Sequence, residues 1–290
     1  MILSWLWRIP FVYQIQDLWL DTLRSTGMVN REDILHAVEQ GAQWIYRNAT
    51  AIPVISQGFA QRLRERDVPV EKLHVISNWV DRDLYHPEPP DQEQAVQVDM
   101  AGRFNVMFAG NLGTAQGLDA VVEAAKLLQA HREIQFVLVG DGVALEDLKT
   151  RANAYDLSNI RFLGRHPVSA MNGLYALADV LLVHLKDDPL FEITVPHKIF
   201  SYMAVGKPIL CAVNGEAAQT VLNAGAGVAC EPQSPQALAE TVLTLQEMSP
   251  AQRHGMGRCG WQAAQTVYSR EFCINQLETV LCAAVPGRSS

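Results

Sequence analysis

The stretch VPHKIFSYMAVGKPIL, residues 195–210, sets a proline, a histidine and a lysine at the mouth of a helical run. Pro196 suits the first turn of a helix, where its missing N–H costs nothing. Lys198 then falls in that same turn, where the helix macrodipole disfavours a cation. A bound anion reverses the sign of that interaction. Lys198 is therefore a candidate phosphate ligand, with a merely solvated ammonium as the alternative. His197 is read as packing or hydrogen-bonding locally, ahead of a catalytic role.

A phosphate ligand needs neighbours, and four segments supply candidates. They are AGNLGTAQG (109–117), VGDG (139–142), LGRHP (163–167) and LKDDPLFEITVPHK (185–198). Each follows an apolar run that reads as a strand. In an open parallel sheet, ligands bind beyond the carboxyl ends of the strands. Glycines there let backbone N–H groups approach an anion closely. The GDG triplet does not complete G-x-G-x-x-G, because Leu145 stands where the last glycine would be. It also belongs to the second βα unit, which counts against a dinucleotide dehydrogenase. Asp17, in QDLW, sits at a strand end, either as a turn cap or as an acid facing a cleft. Asp81 and Asp83 read as a turn cap in preference to a metal site. Trp19, Trp44 and Trp79 read as core residues in preference to sugar platforms.

The elements that must position these residues alternate between strand and helix. Three strands are read early, FVYQI (11–15), AIPVIS (51–56) and KLHVISNWV (72–80), with helical spacing over 31–47 between the first two. Residues 88–103, rich in proline and charge, read as a linker. The alternation then restarts with strands FNVMFAG (104–110), IQFVLVG (134–140), IRFLG (160–164), DVLLVHL (179–185), PILCAV (208–213) and GVAC (227–230). Helical patterns lie between them, and two more helices fill the tail from 250 to 285. Six strands with crossover helices make a complete Rossmann-like unit over 104–266. Residues 1–87 hold too few strands for a comfortable doubly wound core, so the opening part of a first domain is expected to be missing. The apolar start MILSWLWRIPFVY is read as a helix end entering a buried strand, not as an export signal.

The 290 residues carry 23 basic and 31 acidic side chains, a formal charge of −8, which argues against broad nucleic-acid binding. The five cysteines show no metal or redox spacing and read as buried thiols of a reducing cytoplasm. No apolar run approaches the roughly 20 residues of a membrane span.

The segments DLW (17–19), VISQGFAQRL (54–63), VISNWVDRDLYHP (75–87), FAGNLGTAQGLDAVVEAAKLL (108–128), FVLVGDG (136–142), IRFLGRHP (160–167) and VPHKIFSYMAVGKPIL resemble, in order and spacing, bacterial glycosyltransferases of family 4. The likeness is nearest to the sugar transferases of capsule, O-antigen and colanic-acid pathways. It implies an α/β, GT-B-like fold: a truncated acceptor-side Rossmann-like domain over 1–87, a linker over 88–103, a donor domain over 104–266, and a C-terminal helix over 267–290 crossing back to the first domain. It implies a UDP-sugar donor, a saccharide or lipid-linked acceptor at the inner membrane face, retention of configuration and no metal. By the same resemblance Gly110, Asn111, Gly113 and Gln116 lie near the diphosphate. Asp141 and Gly142 line the cleft, Arg165 lies near the base, and Phe191–Lys198 surround sugar and phosphate. Asp17 and Glu192 become the candidate catalytic carboxylates.

Two departures stand out. Many relatives carry two glutamates eight residues apart, the second on the ribose; here that place is Ser201, whose hydroxyl is expected to bond the ribose more weakly, Ile193 stands eight earlier, and Glu192 is one position off. Relatives also place Arg and Lys where this chain has Asn111 and Gln116, which leaves Lys198 more of the phosphate charge. The competing expectation is an inactive fragment, or a split-enzyme subunit that binds nucleotide sugar and is completed by a partner chain.

Overall fold

The computed structural model describes residues 9–25 and 31–285. The expected helix end at the start of the chain, residues 1–8, lies outside them. The elements in chain order are α1 (Trp19–Ser25), α2 (Glu32–Asn48), β1 (Ile52–Val54), α3 (Gln57–Arg64), β2 (Leu73–Val75), α4 (Gln92–Gln97), β3 (Phe104–Ala109), α5 (Asp119–Leu127), β4 (Ile134–Val139), α6 (Leu145–Ala154), β5 (Ile160–Gly164), α7 (Met171–Leu177), β6 (Val180–His184), α8 (Pro189–Glu192), α9 (Lys198–Ala204), β7 (Ile209–Ala212), α10 (Glu216–Asn223), β8 (Gly227–Ala229), α11 (Pro235–Glu247), α12 (Pro250–Gln265) and α13 (Arg270–Ala284).

Strands β3 to β8 form one parallel sheet in the order β5-β4-β3-β6-β7-β8. Every residue of β3, β4, β6 and β7 is buried, as continuous apolar runs in a two-sided sheet require. Val106 and Phe108 join Val121, Leu238 and Val242 on one face. Met107 and Ala109 join Ile199, Tyr202, Met203 and Val221 on the other. The chain winds outward from β3 to β5, then returns to β6 and winds outward the other way. The reversal lies between β3 and β6, which pair only at Val106–Val180 and Met107–Leu181. Beyond those pairs Ala109 has no partner on the β6 side. The fully buried Tyr202 of α9 fills the gap: its hydroxyl accepts from Ala109 N at 3.1 Å and lies 3.3 Å from Ala109 O.

Residues 88–103 are folded, not extended linker. Asp91 caps α4 through the Glu93 N–H at 2.9 Å, and Ala95 and Met100 enter the core beside Met107. The buried amides of Asn105 and Gln135 hold the carbonyls of Met100 and Asp99. Proline and charge signalled exposure here, but two apolar side chains and two strand amides dock the segment.

The first part of the chain carries a two-stranded parallel sheet, β1 with β2. Segment 11–15 is not a full strand, but two isolated bridges, Val12–Ala51 and Ile15–Val54. Tyr13 N and Ile15 N donate to Ala51 O and Pro53 O. Pro53 has no N–H to return, so the ladder cannot close. Around it Ile15, Leu18, Ile52, Phe59 and Leu63 form a core that also takes in Leu190 of α8. Cys273 and Val280 of α13 pack on Ala51 and Ile76, with Trp79 beside them. Trp19 and Trp44, expected in the core, are 66% and 55% exposed. Leu35 and Tyr46 form the buried side of α2, and Trp44, two residues from Tyr46, points to the opposite side. The cysteines are free; Cys211 and Cys273 are buried, but Cys259 and Cys282 are exposed, which departs from the expectation of buried thiols.

Tyr202→Phe keeps the ring and its edge contact with Tyr175 but removes the only side-chain partner of the Ala109 N–H among the described residues. A buried donor left unpaired costs about 1–3 kcal/mol. Urea denaturation should show a loss of that size; an unchanged midpoint would mean that the amide has another acceptor.

Candidate anion-binding cleft

The loops beyond β3 and β4 are laced together. Gly110 N donates to Val139 O at 2.9 Å and Leu112 N to Asp141 O at 2.8 Å. Gly110 and Gly140 have φ of +142° and +137°, and a Cβ on Gly140 would lie 1.8 Å from Gly110 O. Only glycine permits two strand ends to meet this closely. Asp141 Oδ1 accepts from Gly142 N at 2.8 Å, closing the second turn on itself.

Lys198 opens α9, and its ammonium comes to rest on this floor. Nζ lies 3.7 Å from the centre of the Phe108 ring and 3.5 Å from Gln116 Oε1. A Cβ on Gly110 would be 3.1 Å from it. No carboxylate pairs with it among the described residues. The residue as a whole is half-buried, but its ammonium is enclosed, and burial pushes its pKa down to about 7. Gln116 is held in turn by His184, whose Nδ1 is 2.7 Å from Gln116 O. A carbonyl only accepts, so Nδ1 carries the hydrogen. The buried His184 Nε2 has no hydrogen-bond partner among the described residues. Burial, above all, lowers the pKa of this ring, and the Lys198 charge adds to that.

A cavity of about 400 Å³ opens at these strand ends, lined by Ala109, Gly110, Asn111, Val139, Gly140, Asp141, Arg165, His166, Met171 and Tyr175. Four sequence-derived candidates, Gly110, Asn111, Asp141 and Arg165, thus line one cavity, with the Lys198 ammonium against Gly110. Gly113 and Gln116 belong to the adjoining turn, and Gly142 backs onto Leu112. Ser201 is 5% exposed on α9 and does not line the cavity. Glu192 is exposed at the end of α8. Asp17 lines a different cavity of about 270 Å³ with Tyr13, Trp19, Val38, Ile45 and Tyr46. His184, His166 and Tyr175 were not singled out from sequence. For His184 a signal existed, a polar residue inside the apolar run DVLLVHL.

The family profile described as "Glycosyl transferases group 1" matches residues 91–260, and a second, "Glycosyl transferase 4-like domain", matches residues 1–79. The chain belongs to the group 1 glycosyl transferases. It is 26% identical over 262 residues to the probable glycosyltransferase WbjE of Pseudomonas aeruginosa, covering 89% of this chain and 65% of that protein. It is 25% identical over 241 residues to the putative colanic acid biosynthesis glycosyl transferase WcaI of Escherichia coli K12, covering 78% and 58%. The chain therefore spans about two thirds or less of the length of these relatives. Its fold is that of HepE from Anabaena crystallised with UDP, with TM-score 0.81, 21% identity, and 97% and 74% of the two chains covered. The architecture is GT-B-like.

In this group 1 transferase the loop that leads into Lys198 is gripped from the first part of the chain. Ser56 Oγ donates to Ile193 O at 2.7 Å. The Glu216 carboxylate accepts from Gln57 N at 2.9 Å and from Gly58 N. A Cβ on Gly58 would fall 2.5 Å from the Ile193 side chain.

The enclosed ammonium sets a pH dependence. Its folded pKa of about 7 lies below the ordinary 10.5 of the unfolded chain. Below pH 7 both states are protonated and the folded state bears the full burial penalty. As pH rises through 7 the folded state sheds its proton while the unfolded state keeps it, so stability rises. Lys198→Met removes this dependence. Urea midpoints should favour the variant most at pH 6, and its advantage should shrink by pH 9.5.

Proposed function

We propose that this chain carries the donor site of a glycosyltransferase that moves a sugar from a nucleoside-diphosphate sugar, a UDP-sugar, to a saccharide or lipid-linked acceptor in cell-surface polysaccharide synthesis. The observation that carries this reading is the Lys198 ammonium, enclosed against Gly110 at the sheet's reversal point with no carboxylate among the described residues paired to it. An ammonium kept dry without a counter-ion is matched to an anion that arrives with the substrate. The membership of group 1 and the UDP complexes of HepE support a diphosphate as that anion.

In the transfer, the bond from the anomeric carbon to the diphosphate oxygen breaks, and an acceptor hydroxyl forms the new bond with retention. Lys198 neutralises the charge that develops on the leaving phosphate, the task a metal performs in other transferases. Gly110 and Asn111 present the strand-end backbone to the diphosphate, and Gln116 orients Lys198. Ser201 has no carboxylate to give a ribose. Asp17, in the aromatic cavity of the first part, is the candidate acid or base on the acceptor side, and Glu192 is a second candidate carboxylate on the loop before Lys198. The reaction belongs in the cytoplasm, against the inner membrane face when the acceptor is lipid-linked.

Calorimetry on the full chain tests the donor reading. UDP should bind in the presence of a chelator; binding only with manganese would refute the metal-free assignment. Lys198→Ala should weaken UDP by roughly 1.5–3 kcal/mol, the value of a charge-assisted hydrogen bond, and barely affect uridine. At pH 8 wild-type binding should take up a proton, seen as a dependence on buffer ionisation enthalpy, because the diphosphate restores the charge on Lys198. Equal losses for UDP and uridine would make Lys198 a wall of the pocket instead of a phosphate ligand.

A further inference from the structure

The first turn of α3, which opens QGFA, has no acidic residue of its own. Three amides at that end find no partner inside the helix. Ser56 Oγ accepts from Phe59 N at 3.1 Å. The Glu216 carboxylate takes the other two, Gln57 N and Gly58 N, from 159 and 158 residues further along the chain. A carboxylate there meets unpaired donors and the positive end of the helix dipole together. Glu216 follows Gly215, whose φ is +70° and where a Cβ would run into the Glu192 carbonyl. Ile193, the next residue, is held by Ser56 through its carbonyl and by Gly58, where a Cβ would fall 2.5 Å from its side chain. So Glu192 rests on Gly215, Ile193 rests on the Ser56–Gly58 turn, and Glu216 joins the two supports.

From there to Lys198 the chain has little slack. Thr194 donates to Leu190 O through Oγ1 at 2.7 Å and to Phe191 O through N at 3.2 Å. Val195 is buried, and Pro196 has a fixed φ. Ile199 N donates to Pro196 O at 3.0 Å. A charged ammonium enclosed on the Phe108 ring, with no carboxylate among the described residues paired to it, gains by moving out to water. The backbone that carries it must oppose that movement. We infer that Glu216 is a positioning residue for the donor site. It is not among the residues that line the cavity. It ties α3 to Gly215, so that the loop seated on both holds Lys198 at Gly110 before any anion arrives. The inference rests on the donor reading above, and adds that affinity for the diphosphate is set in part by a carboxylate outside the cleft. Pre-organising the cation lowers the cost of binding. The coupling is reciprocal: a bound diphosphate must tighten the clamp by the factor by which the clamp tightens binding.

The test is calorimetry of the full chain with UDP and with uridine, in the presence of a chelator. Glu216→Ala should bind UDP about tenfold more weakly than wild type and uridine within about twofold, a loss within the usual span of coupling between two sites. Glu216→Gln, which keeps an acceptor oxygen but loses the charge, should recover part of the loss. In wild type, hydrogen exchange at the Gln57 and Gly58 amides should slow on saturation with UDP by the same factor, and should be unmoved by uridine. A Glu216→Ala protein that binds UDP as wild type does, or that loses UDP and uridine equally, would overturn the inference. Exchange at the two amides that ignores UDP would overturn it as well, and each of these results leaves the donor reading intact. Wild type that binds no UDP would remove the donor reading, and the inference with it. If Glu216→Ala does not fold, the exchange measurement on the wild-type chain decides.

Discussion

The parting of β3 from β6 after two residue pairs is the constraint on which the rest of the structure depends. A parallel sheet wound in two directions from its middle leaves the central strands splayed at their carboxyl ends. Splayed strands expose backbone amides that the interior cannot leave unpaired. Tyr202 answers that requirement at Ala109, and to do so α9 must lie directly under the opening. Once α9 is fixed there by a buried tyrosine, its first residue, Lys198, has nowhere to go but the mouth of the crevice. The position of the charge is thus a by-product of satisfying one strand.

The same anchoring explains why the charge is enclosed. Phe108 and Ala109 belong to opposite faces of β3. The ring of Phe108 lies under the ammonium, and the turn through Gln116 stands beside it, held by the carbonyl bond to His184. His184 sits on β6 and Phe108 on β3, so each of the two parted strands contributes one wall. The crevice and its cationic wall have a common origin in the reversal of winding.

Much of this was legible in the residues. The six apolar runs of the second sheet are separated by helical patterns and turns, and each overlaps a strand of the structure. The Pro-His-Lys order placed Lys198 at a helix mouth, where the structure has it. What was not legible depended on contacts distant in sequence. The segment 88–103 looks like linker because its docking depends on Asn105 and Gln135, whose roles are invisible without the sheet. The strand 11–15 fails for a reason carried by a residue on its partner, Pro53. Trp19 and Trp44 read as core because size and apolarity say nothing about which side of a helix is covered. Spacing also could not separate Asp17 from the cavity that holds Asp141 and Arg165.

The short segment from Leu190 to Ile193 is secured at both ends by the first part of the chain. Leu190 is counted among the core residues around Ile15 and Phe59, and Ile193 O is taken by Ser56, yet five residues past Ile193 the chain becomes the helix whose tyrosine completes β3. Such a segment has no coordinate of its own. Any rotation of the first body about the second must either drag the mouth of the crevice with it or first break the grip of Ser56 and Glu216. At the crevice the two halves are geared to one another through this stretch and through Glu216, and the polar part of that gear consists of hydrogen bonds to main-chain atoms, which no side-chain substitution within the stretch would remove directly.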